Sequence, residues 1–186
     1  MRQNTKQNIT LVTGNAGKVR EVRRYLGEAV EHVDLDLPEI QSLDSREIVR
    51  EKAWHAFHEL GRPVLVEDVS LVFHALGKLP GTLIKWFESE LGHEGLCRLV
   101  DGKDRTCVAT VTCGYCDGGE VIFAEGEMHG TVAERPRGDM SFGWGNIFLP
   151  KGEARTYAEL SEEEQTQVSM RREALEKLSS QLDVSR

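Results

Sequence analysis

The sequence predicts an α/β fold, a sheet with flanking helices, and three observations carry that prediction. Two short runs, Ile9 to Thr13 and Val64 to Val66, have the length and β-branched content of strands buried on both faces. Between them lie two stretches with apolar residues at helical spacing, stopped by Gly27 and Gly61. Further on, Thr106 to Cys116 and Glu120 to Met128 flank Asp117-Gly118-Gly119, the pattern of a hairpin. The first half reads β-α-β-α-β, an order that gives a sheet with helices on its faces. The hairpin reads as an edge or second-lobe element.

In order, Ile9 to Thr13 is the first strand. Gly14-Asn15-Ala16-Gly17-Lys18 turns into a helix with Val19, Val22 and Leu26 on one side. Such a turn aims backbone N–H groups and a helix dipole at one spot, which suits phosphate. The spacing is not that of the usual phosphate loop, so a plain tight turn fits equally well. His32 to Leu37 alternates as a second strand, closed by Pro38-Glu39. Asp44-Ser45-Arg46-Glu47 has capping-box spacing and opens a helix to about Leu60. Lys52 falls on the apolar stripe of that helix, between Ile48 and Ala56. A lysine there either snorkels outward or meets a negative partner.

Val64 to Val66 ends in Glu67 and Asp68, with Ser70 two residues on. Open α/β sheets put ligands at the carboxyl ends of such strands. Two acids there can hold Mg²⁺, and one can take a proton from water; a simple capping acid is the alternative. Leu83 to Leu91 and Glu94 to Val100 read as two helices, with Lys85 in the first. Residues 130 to 152 are punctuated by glycines, and those beside Phe142 and Trp144 let a flat ligand reach a ring. A packed aromatic loop is the competing reading. Ser161 caps a last helix with Val168, Leu175, Leu178 and Leu182 along one face, and Arg171 shares that face. Residues 1–8 are expected to be frayed, 9–182 to form one domain, and 183–186 to be a tail.

The chain has 186 residues, 39% apolar and 29% charged. Those values exclude a disordered or membrane-embedded class, and no apolar run approaches the ~18 residues of a spanning helix. The polar start lacks a signal-type apolar core, so a cytoplasmic protein is the expectation. A net charge of −8 leaves no basic footprint for nucleic acid. Cys113 and Cys116 form an isolated CxxC without a second half for zinc. Their odd spacing on a strand sends the sulfurs to opposite faces, so the cysteines read as reduced structural thiols.

Acids at strand ends, a glycine turn with Lys18, and two cations on apolar helix faces together suggest a Mg²⁺-bound polyphosphate. The segments Thr13 to Lys18, Leu37-Pro38-Glu39, Val64 to Asp68, Leu79-Pro80-Gly81 with Ile84 to Phe87, Phe142-Gly143-Trp144, Thr156 to Leu160, and Ser169 with Arg171 resemble the inosine triphosphate pyrophosphatase family. The resemblance implies an elongated two-lobed mixed sheet with a cleft between the lobes, usually in a homodimer. It implies hydrolysis of deaminated purine nucleoside triphosphates to monophosphate and pyrophosphate. Thr13, Gly14, Asn15, Ala16, Gly17, Lys18 and Lys52 would then hold the phosphates, with Ser70 and Lys85 lining that side. Glu39 and Asp68 would handle Mg²⁺, and Asp68, with Glu67 and Lys18 beside it, would activate water. Phe142, Gly143 and Trp144 would bracket the base, and Arg171 would donate to its 6-oxo group.

The chain departs from that family where the base is read. Gly145 stands where the family has Asp, Met170 where it has His, and Gln165 where it has Lys. Losing hydrogen-bonding groups there lowers discrimination. A second function is therefore carried beside the hydrolase: a slow or non-hydrolysing nucleotide sensor that signals to a partner effector protein.

Overall fold

The computed structural model describes residues 9–28, 30–139 and 143–184. Strand β1 (Thr10–Val12) leads into helix α1 (Ala16–Leu26), then β2 (Glu31–Val33), α2 (Ser45–Leu60) and the long strand β3 (Val64–Phe73). A two-residue strand β4 (Pro80–Gly81), helix α3 (Ile84–Arg98), and strands β5 (Thr106–Cys116), β6 (Ile122–Val132) and β7 (Phe148–Pro150) follow. Helices α4 (Glu162–Gln167) and α5 (Met170–Val184) close the fold. All strands join one sheet in the order β2-β1-β3-β5-β6-β7, with β4 pairing β3. β1 runs parallel to β2 and β3; β3, β5, β6 and β7 are antiparallel. The mixed α/β class is as expected.

The sheet carries a core on each face. On one face Leu65, Leu71 and Phe73 pack with Val22 of α1, Leu96 of α3 and Leu175 of α5. On the other, Val64 and Val66 pack with Val12 and with Val49, Ala53 and Ala56 of α2. Burying these aliphatic side chains stabilises each layer by roughly 1.5–3 kcal/mol per residue. Two close approaches between the sheet and its helices need glycine. A Cβ on Gly126 of β6 would lie 1.9 Å from the Met170 carbonyl oxygen of α5, and one on Gly114 of β5 would lie 2.4 Å from Val49 Cγ1 of α2.

Four differences from the sequence reading matter. First, the acids are not at a strand end: β3 continues through them to Phe73 because β5 pairs it from Val64 to Phe73. β1 pairs the opposite edge only at Val64 and Leu65, and β4 rejoins it at Leu71 and Val72. Glu67 and Asp68 fall in the gap. Second, the 106–128 hairpin is no edge element; β5 lies fourth in a path of six strands. Its own alternation could not reveal that β3 would pair with it. Third, β2 stops at Val33, because residues 34–43 leave the edge of the sheet and run toward α2. Fourth, one expected helix is divided. The expected pair at 83–100 is present, its two helices meeting at a kink at Gly92, which is non-helical at φ 61° and ψ 175°. The expected last helix divides into α4 and α5, and the Ser169 hydroxyl accepts from Arg172 N at 3.1 Å to start the second.

The four cysteines are buried and unpaired with one another. Cys113 belongs to one core and Cys116 to the other, as their odd spacing requires. Burial pushes the Cys107 thiol up to about 12, so it stays protonated and inert. No helix of the described residues is long and apolar enough to cross a membrane.

Candidate active site

Alternation along β3 sends its two adjacent acids to opposite faces, and each meets a cation from a different helix. Glu67 points to the face of α1 and α5. Its carboxylate accepts from Arg171 Nε at 2.7 Å and Nη2 at 2.8 Å, and pairs with Lys18 Nζ at 3.0 Å. Asp68 points to the face of α2, where Lys52 Nζ donates to its Oδ1 at 3.0 Å and pairs with Glu39 at 2.9 Å. Lys52 thus meets negative partners and does not snorkel, and Arg171 does the same. Both are nearly buried.

Burial raises the Glu67 carboxyl, but Arg171 and then Lys18 overcome it and hold it at about 2. Burial lowers Arg171, yet Glu67 chiefly outweighs that and keeps it charged. Glu21 of α1 completes this cluster. It pairs with Arg171 Nη1 and accepts from the Ser169 hydroxyl at 2.6 Å. Asp68 is different: burial pushes its carboxyl above the usual range, and Lys52 only partly opposes this. Asp68 Oδ2 is buried and has no hydrogen-bond partner among the described residues. Glu39 is held low, first by its hydrogen bond from Lys52.

At the end of β1 the turn is built by its own side chains. Thr13 Oγ1 accepts from Asn15 N at 3.2 Å, and Asn15 Oδ1 caps α1 by accepting from Gly17 N at 2.9 Å and Lys18 N at 3.2 Å. The expectation that these N–H groups are free for a ligand is corrected for residues 15, 17 and 18. Gly14 lies against Asp34, whose Oδ1 would be 2.8 Å from a Cβ there and would have to swing aside for a larger residue.

These parts border one cleft of about 700 Å³, within the range of small-molecule sites. Thr13, Gly14, Asn15, Gly17 and Lys18 line one wall, and Glu39, Lys52 and Asp68 line the next. Lys85, Gly143, Trp144 and Arg171 also line it. Trp144 is fixed edge-on against Phe148, with ring centroids 5.6 Å apart. Three expected site residues stand apart from this lining. Glu67 lies beneath it, sealed by Lys18 and Arg171. Ala16 faces elsewhere on α1. Ser70 shares the Asp68 face but lines a separate cavity of about 310 Å³ with Thr82 and Lys78, because β4 and Thr82 intervene. Phe142 lies outside the described residues.

The cleft also holds residues that the sequence reading did not single out. Glu21, Glu88 and Tyr157 line it, beside Met170, the departure already noted. Glu21 and Glu88 each sit three residues after a cleft lysine, Lys18 and Lys85, on the same helix. That spacing places both members on one helix face and was the available signal. Glu88 is held from behind. Asn146 Nδ2 donates to His93 Nδ1 at 2.8 Å, which leaves the proton on Nε2, and His93 Nε2 contacts Glu88 Oε1 at 3.1 Å. Burial raises the Glu88 carboxyl, and His93 opposes the rise.

Among the described residues no three His, Cys, Asp or Glu side chains form a metal-holding group. The donor set still fits a hard cation. Two carboxylates, Glu39 and Asp68, meet at Lys52, and one Asp68 oxygen is unsatisfied. Mg²⁺ is commonly bound by one or two carboxylates plus substrate phosphates rather than by an all-protein cage.

The chain is similar to known proteins along most of its length. Residues 9–181 match the model of the Ham1 family. The chain is 46% identical over 180 residues to inosine triphosphate pyrophosphatase 2 of Trypanosoma cruzi, covering 94% of this chain and 92% of that protein. It is 40% identical over 174 residues to the dITP/XTP pyrophosphatase of Methanopyrus kandleri, covering 91% and 93%. Its fold is similar to that of a HAM1 protein from Coxiella burnetii, with a TM-score of 0.77 at 26% identity over 94% of this chain and 98% of that one. With a family match spanning nearly the whole described chain, and relatives this similar over nine-tenths of their length, the chain belongs to the Ham1 family.

Proposed function

We propose that the chain is a Mg²⁺-dependent nucleoside triphosphate pyrophosphatase acting on deaminated purine nucleotides such as inosine triphosphate and its deoxy form. One observation carries the reading: a buried, unsatisfied Asp68 oxygen beside a lysine that grips both Asp68 and Glu39. The names of the relatives, which act on ITP, dITP and XTP, support it.

Each residue has a task the geometry suits. Lys18, Lys52 and Lys85 bring positive charge to a triphosphate, which an acidic protein must do locally. Glu39 and Asp68 would hold the cation. The chemistry supplied by a bound Mg²⁺ would be neutralisation of charge on the phosphate oxygens. Asp68, lifted by burial, is suited to accept a proton from the attacking water. Glu67, paired with Arg171 and Lys18, has no free charge for that work; it positions Lys18. Trp144 offers a ring to the base. Arg171 spends three of its five N–H groups on Glu67 and Glu21, and the remainder can donate to a 6-oxo group.

The test is pyrophosphate release from inosine triphosphate with Mg²⁺, for the natural chain and for Asp68→Asn. The variant keeps the size of the side chain and loses its charge. Turnover should fall by about 10²-fold or more while nucleotide binding stays measurable, and added chelator should stop the natural chain. Near-normal turnover in Asp68→Asn would remove Asp68 from this role. Binding of inosine triphosphate by the natural chain without any pyrophosphate release would favour the sensor reading instead.

A further inference from the structure

The base end of the cleft contains an acceptor whose position on α3 suits recognition. Glu88 lies one helical turn after Lys85, and both line the cleft. Its carboxylate reaches the aromatic wall, since a Cβ on Gly143 would lie 3.6 Å from Glu88 Oε1. Its side chain is only 22% exposed, and that of His93 15%. Among the described residues His93 alone contacts this carboxylate, and His93 is in turn fixed by the fully buried Asn146. The tautomer set by Asn146 makes His93 a donor, so Glu88 is held as an oriented acceptor. Met170, which also lines the cleft, is apolar.

We infer that Glu88 is a specificity-determining residue: its carboxylate accepts the ring N1–H of a 6-oxo purine stacked at Trp144. The inference rests on the nucleotide reading above and names what the site reads in the base. The chemistry follows from hydrogen-bond roles. An ionised carboxylate only accepts. A 6-oxo purine carries hydrogen on N1, whereas adenine presents a lone pair there. Adenine would set two acceptors against each other in a partly buried place, and a site built to bond a substrate N–H rejects an analogue that lacks it. The Asn146–His93–Glu88 chain is the positioning apparatus, as its buried amide has no access to a ligand.

The experiment is calorimetric binding of inosine, N1-methylinosine and adenosine triphosphates to the natural chain and to Glu88→Gln, with Glu90→Gln as the exposed control on the same helix. The natural chain should favour inosine over both other nucleotides by roughly ten- to a hundredfold, the range of one hydrogen bond to a charged group. Glu88→Gln should shrink the inosine-to-adenosine ratio by at least tenfold, because the new amide can donate to adenine N1. Glu90→Gln should leave the ratio alone. The inference is overturned if the natural chain binds N1-methylinosine or adenosine triphosphate as tightly as inosine triphosphate, or binds none of them. It is also overturned if a folded Glu88→Gln keeps the natural ratio within twofold. The N1-methyl comparison needs no variant, so it stands even if Glu88→Gln misfolds. Pyrophosphate release is scored separately: discrimination without release sinks the hydrolase reading and leaves Glu88 in place.

Discussion

Replacing Glu67 by Gln should destabilise the protein markedly, although the two side chains have nearly the same shape. Glu67 carries its charge with a side chain only 2% exposed, and Arg171 and Lys18 are both committed to it. Its carboxyl sits at about 2 against an ordinary 4.5. At about 1.4 kcal/mol per pKa unit this corresponds to roughly 3 kcal/mol of stability at neutral pH. Removing one partner of a buried ion pair costs about 3–5 kcal/mol by the general rule, so the two routes agree. For a chain of this size, about 2–4 °C of Tm is lost per kcal/mol, giving a fall of about 6–12 °C. The assay is thermal unfolding of both proteins from pH 8 downward. A depressed carboxyl contributes its stability above the unfolded value and loses it as pH falls toward the folded one. The gap between the proteins should therefore be constant above pH 4.5 and close between 4.5 and about 2. Adding Arg171→Met to Glu67→Gln should recover part of the loss, because an apolar replacement removes the stranded charge. A Glu67→Gln protein within about 0.5 kcal/mol of the natural one at pH 7, the size of an ordinary surface change, would refute the reasoning.

Gly126→Ala should lower the urea midpoint by an amount equivalent to about 1–3 kcal/mol or more, since the new methyl meets a backbone oxygen of α5 at 1.9 Å and no side-chain rotation can relieve it; an unchanged midpoint would show that α5 docks elsewhere. Cys113→Ser and Cys116→Ser should leave the nucleotide Kd unchanged within twofold while costing about 1–3 kcal/mol each for a buried hydroxyl without a partner, and loss of binding in a folded variant would make the thiols functional. Lys52→Met should weaken triphosphate binding by at least tenfold and monophosphate binding less, because Lys52 faces the acids of the phosphate side; equal losses for both ligands would remove it from that role.

Much of this fold was legible in the chain because its signals are local. Asp44 as the cap of α2 and Gly61 as its stop are found where capping chemistry put them, with Gly61 in the left-handed region at φ 61°. Lys52 and Arg171 stood out because a cation on an apolar stripe must find an anion, and both did. The opposite facing of Cys113 and Cys116 follows from the period of a strand alone. The cleft lysines were visible, but the acids three residues beyond them were not singled out, since an i, i+3 pair reads as ordinary surface support.

The local patterns of the chain specify most of the helices and strands, their buried faces and the charged residues that those faces could not leave unpaired. Periodicity, caps and turn glycines act over a few residues, so a linear reading contains them. Which strand pairs with which is set only when the whole chain has folded. That choice carried β3 through Glu67 and Asp68, opened the gap between β1 and β4 at the two acids, and moved Ser70 into another cavity. It also closed the Asn146–His93–Glu88 chain across a separation of 53 residues. Strand pairing and buried polar networks join groups distant along the chain, and their free energy depends on the space left after every helix has packed; no local pattern encodes that space.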